Sequence, residues 1–411
     1  MHVVFVHKNF PAQFGHIASH LIHQCGHRCT FVSETEPGRF NDIEKVQYKT
    51  RGGATRQTHY CTRTFENGIW HAAGVYEALK PLQQRLSPDL IVGHSGFGST
   101  LFLPELFPDT PIISYFEYYY HRKGSDLDFR PDFPTSKANL LRSHARNAMI
   151  MLDLEACRAG YAPTHFQRDL LPEPYRPKVR VLHDGVPADF WRPQPIETLT
   201  LDGLDIGNLE IDPAQPVITY VSRGFETMRG FDIFMKAARL ICNADPNVLV
   251  LVVGTDRVCY GGDLNYIAET SFKDHVLNQD RYDLNRIRFL GRVEPKLLAQ
   301  ILSRSDLHIY LTIPFVLSWS LLDAMACGCT VLASDTAPVR EVIRHDDNGL
   351  LCDFFDVEAL ALAALEVLKN PAAYRQRLGR AARRTVEERY STEVIMPQMV
   401  QFYESVANGA G

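Results

Sequence analysis

The stretch 306–343, DLHIYLTIPFVLSWSLLDAMACGCTVLASDTAPVREVI, constrains the fold more than any other part of the chain. Residues 306–310 and 330–333 read as short buried strands, and 318–327 reads as a helix carrying one acid, Asp323, among apolar and small residues. A strand that turns directly into a helix aims free backbone N–H groups and the positive end of the helix dipole at whatever lies beyond the strand. An anion such as a diphosphate is the natural guest. Ser-Asp-Thr-Ala-Pro at 334–338 opens the next helix in the same manner.

The same alternation runs through both halves. Strands are expected at 2–6, 28–32, 90–92 and 112–115, with helices at 14–24, 67–86 and 136–158; the pattern restarts with strands at 217–221, 248–253 and 288–290. Strands alternating with helices predict parallel sheets covered on both faces. A length of 411 residues exceeds what one core usually serves, so two α/β domains are expected: 1–195, a linker at 196–215, and 216–390. Prolines at 193, 195 and 213, with no steady periodicity between them, suggest the linker. Ligands of such sheets bind beyond the carboxyl ends of the strands, which makes strand ends the positions to interrogate.

Hydrophobic residues at 45% and charged residues at 22% describe an ordinary globular chain. The opening MHVVFVHKNF is too short an apolar run for a signal peptide, and no segment approaches a membrane span, so a cytoplasmic location is expected. Nine scattered cysteines without a CxxC pair point to reduced thiols rather than disulfides or zinc. The net charge of −5 gives no footing for a nucleic-acid partner, yet it hides an asymmetry. Residues 1–195 hold 22 Lys plus Arg against 19 Asp plus Glu, and the remainder 21 against 29. A solvated surface accounts for that difference, with an anionic membrane or a phosphorylated acceptor as the sharper alternative for the first half.

The segment 306–343 resembles the donor-site signature of the family 4 glycosyltransferases, retaining enzymes built from two Rossmann-like domains facing a cleft, the GT-B fold. Asp323-Ala324-Met325-Ala326-Cys327-Gly328 and Ala333-Ser334-Asp335 carry the likeness. The resemblance implies that Asp323 holds the ribose hydroxyls of a sugar nucleotide, with Val316, Leu317 and Ser318 also on the donor. Where the family places a further acid, eight positions before Asp323, this chain has Phe315. The helix at 394–407, within a C-terminal segment 391–411, is expected by the same likeness to cross back to the first domain.

The restart strand leads into Arg223-Gly224-Phe225-Glu226-Thr227-Met228-Arg229-Gly230. Two arginines six apart around a turn suit a diphosphate, because the guanidinium donates paired hydrogen bonds and keeps its charge. The family has an Arg and usually a Lys at these places, so Arg223 and Arg229 are assigned to catalysis and Glu226 to the donor. Such cations stabilise the charge that develops on a departing phosphate, and neither a metal nor another cofactor is expected. Asp126-Leu127-Asp128 looks like a DxD metal motif, but it follows Gly124 in an apparent loop and reads as a solvated turn, with acceptor contact second.

Three segments of the first half remain. Lys8-Asn9-Phe10-Pro11-Ala12-Gln13-Phe14-Gly15 resembles a subgroup that begins Asn-Phe-Pro-Gly-Gln-Phe, with Ala12 in place of its glycine, and Gly15 is left as the point of backbone approach to the donor. His94, among small residues after 90–92, and Tyr119 are cleft candidates. Glu117 takes the place of a family histidine near the reacting sugar, where a carboxylate steadies positive charge or takes the acceptor proton; a covalent role is less favoured. The reading is a metal-independent retaining hexosyltransferase moving sugar from a nucleoside diphosphate to a glycan, lipid-linked or small acceptor, in polysaccharide or glycoconjugate synthesis. Peripheral membrane contact through the first domain is a further expectation. The alternatives are a GT-B epimerase or phosphorylase, and a catalytically silent sugar-nucleotide-binding partner.

Overall fold

The computed structural model describes residues 1–36, 42–196, 199–201 and 209–409. They form two compact units, one holding residues 1–128, 134–185 and those from Thr392 onward, the other Phe129–Phe133 and Val186–Ser391.

The first unit is built on seven parallel strands, β1 (His2–Val6), β2 (Arg28–Ser33), β3 (Glu44–Gln47), β4 (Leu90–His94), β5 (Ile112–Tyr115), β6 (Ala159–Ala162) and β7 (Val179–Val181), in the order β3-β2-β1-β4-β5-β6-β7. Every residue of β1 is buried because successive side chains enter opposite cores. Val3 and Phe5 join Phe14, Phe31 and Tyr161 on one face, while Val4 and Val6 join Ile91 and Leu154 on the other. The helix Thr392–Ala407 closes the first of these cores with Met399, Phe402 and Tyr403, so the end of the chain belongs to this unit.

The second unit opens with an antiparallel pair, β8 (Leu199–Leu201) and β9 (Leu209–Ile211). Its main sheet has six parallel strands, β10 (Val217–Gly224), β11 (Leu249–Thr255), β12 (Ile287–Gly291), β13 (Leu307–Tyr310), β14 (Val331–Ser334) and β15 (Leu350–Cys352), ordered β12-β11-β10-β13-β14-β15. Both parallel sheets therefore reverse their winding direction beside their first strand, between β1 and β4 and between β10 and β13, and a crevice at the carboxyl ends follows from each reversal.

The expected linker at 196–215 is corrected by this arrangement. The second unit already begins at Val186, and Leu199, Leu201 and Ile211 are buried in a cluster with Val217, Leu249 and Leu251. Alternating apolar residues in three-residue strands are too short a signal to separate from an irregular segment; residues 197–198 and 202–208 of that call lie outside the described residues. The helix expected at 67–86 is Arg63–Leu79, followed by a 3-10 turn at Lys80–Leu82 holding Pro81 and a short helix at Gln83–Leu86. No helix among the described residues is long and apolar enough to cross a membrane.

Candidate functional site

At the reversal of the second sheet, β10 gives way to a 3-10 turn, Thr227–Arg229, and then to the helix Phe231–Ala244. Gly230 joins them at φ 59°, and a Cβ there would stand 2.8 Å from Leu311 Cβ, so both angle and space demand glycine. The turn carries Arg229 inward until it is only 5% exposed. Its guanidinium donates to Thr312 Oγ1 at 2.8 Å and to the Tyr310 hydroxyl at 3.5 Å, and lies 5.4 Å from the centre of the Tyr260 ring. Those hydrogen-bond partners are neutral. The counter-charge that acts on it is the buried Glu226 carboxylate, which makes no hydrogen bond to it among the described residues, so the guanidinium keeps hydrogen-bonding capacity for a further anion.

The Tyr310 hydroxyl also accepts from the Ser318 backbone N–H at 2.8 Å. One phenol at the end of β13 thus joins Arg229 to the start of the helix Trp319–Ala326, where Ser318 Oγ caps the Ser320 N–H. The two sequence segments that suggested an anion site are in this way one site, with a guanidinium and a helix N-terminus beside the same hydroxyl. Gly328, at φ 73°, ends that helix in the left-handed conformation, which accounts for the glycine of the motif.

Asp323 sits half-buried on the same helix. Burial raises its carboxyl well above the ordinary range, and no hydrogen bond to that carboxylate is present among the described residues. Such a group is poised to accept hydroxyl donors. Val316, Leu317 and Ser318 form the half-buried turn ahead of the helix. Phe315, where the acid was expected, is a buried ring 5.5 Å from Tyr260. Arg223 stands exposed at the end of β10, its carbonyl accepting from Thr255 Oγ1 at 2.7 Å.

Glu226 does something other than the direct donor contact expected of it. It has no exposed surface, and its Oε2 accepts from the backbone N–H groups of Cys259, Tyr260 and Gly261 at 2.9, 2.9 and 3.2 Å. It fixes the loop that lays Tyr260 beside Arg229. Sequence reasoning missed Tyr260, Tyr310 and Thr312; a phenol closing an otherwise apolar strand was the one legible sign, at Tyr310.

In the first unit the reversal between β1 and β4 gathers His7, His94 and Glu117. The rings of His7 and His94 lie 5.1 Å apart, and burial, reinforced by His94, holds His7 down at about 3. His94 Nδ1 bonds to the Ser95 carbonyl at 2.8 Å, while its buried Nε2 makes no hydrogen bond and stands 3.6 Å from a Glu117 oxygen. Glu117 also accepts from Gln13 Nε2 at 3.2 Å. The cavity that His94 and Glu117 line, with Thr64 and Arg146, is about 70 Å³, far below the several hundred that enclose a sugar-sized ligand.

The remaining candidates are structural in their recorded contacts. Gly15 is an ordinary helical residue (φ −61°) starting Gly15–His23, with Pro11 3.1 Å from where its Cβ would stand, and Ala12 holds the left-handed angle, φ 48°. Asp126 accepts from the Tyr118 hydroxyl at 2.9 Å, and Asp128 accepts from the Gly124 and Ser125 N–H groups, closing the turn. Tyr119 is half-buried, its hydroxyl 3.7 Å from Met151 Sδ.

Comparison with known proteins bears on this geometry. A model described as glycosyl transferase family 4 group matches residues 25–190, and one described as glycosyl transferases group 1 matches 204–385. The chain is 26% identical over 196 residues to N-acetyl-alpha-D-glucosaminyl L-malate synthase of Bacillus anthracis, covering 48% of this chain and 47% of that protein. It is 27% identical over 318 residues to phosphatidyl-myo-inositol mannosyltransferase of Mycolicibacterium smegmatis, covering 71% of this chain and 76% of that one. The match thus spans about half the length of the first relative. Among solved structures, sucrose-phosphate synthase from Thermosynechococcus elongatus superposes with a TM-score of 0.71 at 17% identity over 99% of both chains. The Anabaena protein HepE, in complex with UDP and glucose, gives 0.70 at 14% identity over 98% of this chain and all of that one. These two likenesses concern the fold, which is that of the GT-B glycosyltransferases.

Proposed function

Because this chain belongs to the family 4 group of glycosyltransferases, we propose that it moves a hexose, with retention at the anomeric carbon, from a nucleoside diphosphate sugar to a hydroxyl acceptor. The observation that carries this reading is the buried Arg229, whose hydrogen bonds among the described residues go to hydroxyls and which is linked through Tyr310 to a helix start. Rupture of the anomeric bond builds negative charge on the leaving diphosphate, and a cation and backbone dipole already held in place lower that barrier. Arg223 at the rim adds a second guanidinium, and Asp323 takes the ribose hydroxyls. In this proposal the protein's own cations, rather than a metal, meet the diphosphate. Glu117 is the carboxylate assigned to steadying positive charge or receiving the acceptor proton. A glycan, lipid-linked or small-molecule acceptor belongs to the same proposal, the names of the two relatives citing L-malate and phosphatidyl-myo-inositol.

The test screens nucleoside diphosphate sugars for a rise in melting temperature, then follows donor hydrolysis and transfer with chelator present. One donor is expected to stabilise the protein by mass action. Arg229→Ala is expected to weaken its binding by about ten- to a hundredfold, the worth of a charged hydrogen-bond set. NMR of the product anomer reads retention. Binding without turnover on any acceptor would replace the transferase with a sugar-nucleotide-binding protein, and binding unchanged in Arg229→Ala would remove the site.

A further inference from the structure

A cavity of about 800 Å³ in the first unit is unrelated to the His94 cluster in its chemistry. Its lining carries Arg122, Lys123, Lys137 and Arg176 and no acid, together with Leu140 and Leu141. Arg176 is committed, donating to the Leu171 and Asp169 carbonyls at 2.8 and 2.6 Å. Arg122, Lys123 and Lys137 have no ion-pair or hydrogen-bond partner for their side chains among the described residues. Leu141 is 51% exposed, large for an apolar side chain with no function in packing. The walls are held firmly: Asn147 pairs with both the N–H and the carbonyl of Tyr120 at 3.0 and 2.8 Å, and His121 Nε2 bonds to the Leu170 carbonyl at 2.7 Å. Three exposed cations around one recess with no acid in its lining give it a positive potential suited to an anionic occupant.

We propose that this cavity binds a phosphate monoester joined to an apolar chain, the phosphate on Arg122, Lys123 and Lys137 and the chain on Leu140 and Leu141. Under the transferase reading this occupant is the acceptor or the group that anchors it; the binding itself does not depend on that reading. The phosphate has two sources, a soluble alkyl phosphate or a lipid headgroup at a membrane surface, and the cavity's volume lies in the range that encloses a small ligand.

The experiment titrates the full chain with decyl phosphate below its micelle concentration, with and without UDP, and separately with vesicles of phosphatidylcholine containing phosphatidic acid, whose headgroup is likewise a phosphate monoester. Binding is expected to one or both, to survive UDP, and to weaken about fivefold for each cation removed in Lys123→Gln and Lys137→Gln. Loss of decyl phosphate binding in the double variant identifies the soluble source; loss of vesicle binding alone identifies the headgroup. Leu141→Asn weakens decyl phosphate while leaving inorganic phosphate unchanged. No binding to either probe, or binding indifferent to the double variant, overturns the proposal. UDP affinity, read in the same variants and expected to be unaltered, separates this outcome from failure of the donor site.

Discussion

Ala12 carries the backbone angle that a glycine would hold without cost. A non-glycine residue at φ 48° crowds its Cβ against the following carbonyl, which costs about 1–2 kcal/mol. Ala12→Gly removes that crowding and adds about 0.5–1 kcal/mol of chain entropy to the unfolded state. A rise in melting temperature of about 1–3 °C is expected by calorimetry; a fall would mean the angle carries no strain. Asp323 makes the opposite kind of prediction. Its carboxyl is raised by burial without a counter-charge, so its contribution to folding is complete below the unfolded pKa of about 4 and is lost as pH climbs through the folded value. Asp323→Asn is therefore expected to raise the melting temperature at pH 8 and leave it nearly unchanged at pH 4. If, as proposed, Asp323 accepts the ribose hydroxyls, nucleotide binding favours its ionised form, and wild-type affinity should climb with pH over the same interval. In the Asn variant both the affinity and its pH dependence should drop, measured by titration calorimetry.

At the scale of elements, the turn that carries Arg229 is held from outside its own sequence neighbourhood. Segment Phe129–Phe133 lies on the second unit, with Phe129 between Phe354 and Phe355 and Phe133 against Phe272. Between them Arg130, 4% exposed, grips Asp232 at 3.1 and 2.7 Å and donates to the Thr227 carbonyl at 3.3 Å. Arg130→Ala leaves Asp232 buried without its partner and is expected to cost about 3–5 kcal/mol in denaturant unfolding. Arg130→Ala combined with Asp232→Asn should recover much of that loss. A single-variant cost below about 1 kcal/mol would show the pair to be solvated. Nothing local in Phe-Arg-Pro-Asp-Phe announces this docking, since its partners are spread along the chain from Thr227 to Phe355. Strands were legible where bulky apolar side chains run together; β3, β6, β7 and β15 were not, because charged, polar or small residues interrupt the first three and the last has three residues.

For the whole molecule, the sequence by itself determined the class: two rounds of strand and helix, continuous apolar strands that only a covered parallel sheet can bury, and glycines and small residues where strands turn into helices. It also pointed to the segments proposed for the chemistry, because two arginines around a turn and a helix-opening turn are readable as local patterns. Tertiary structure decided what those side chains touch. Tyr310 joins two segments nearly ninety residues apart, Glu226 turns from a donor contact into the anchor of the Tyr260 loop, and Phe402 and Tyr403 close a core begun by Phe5. Each of these depends on long-range packing, and a side chain's partner is set by which faces the sheet order brings together rather than by its neighbours along the chain.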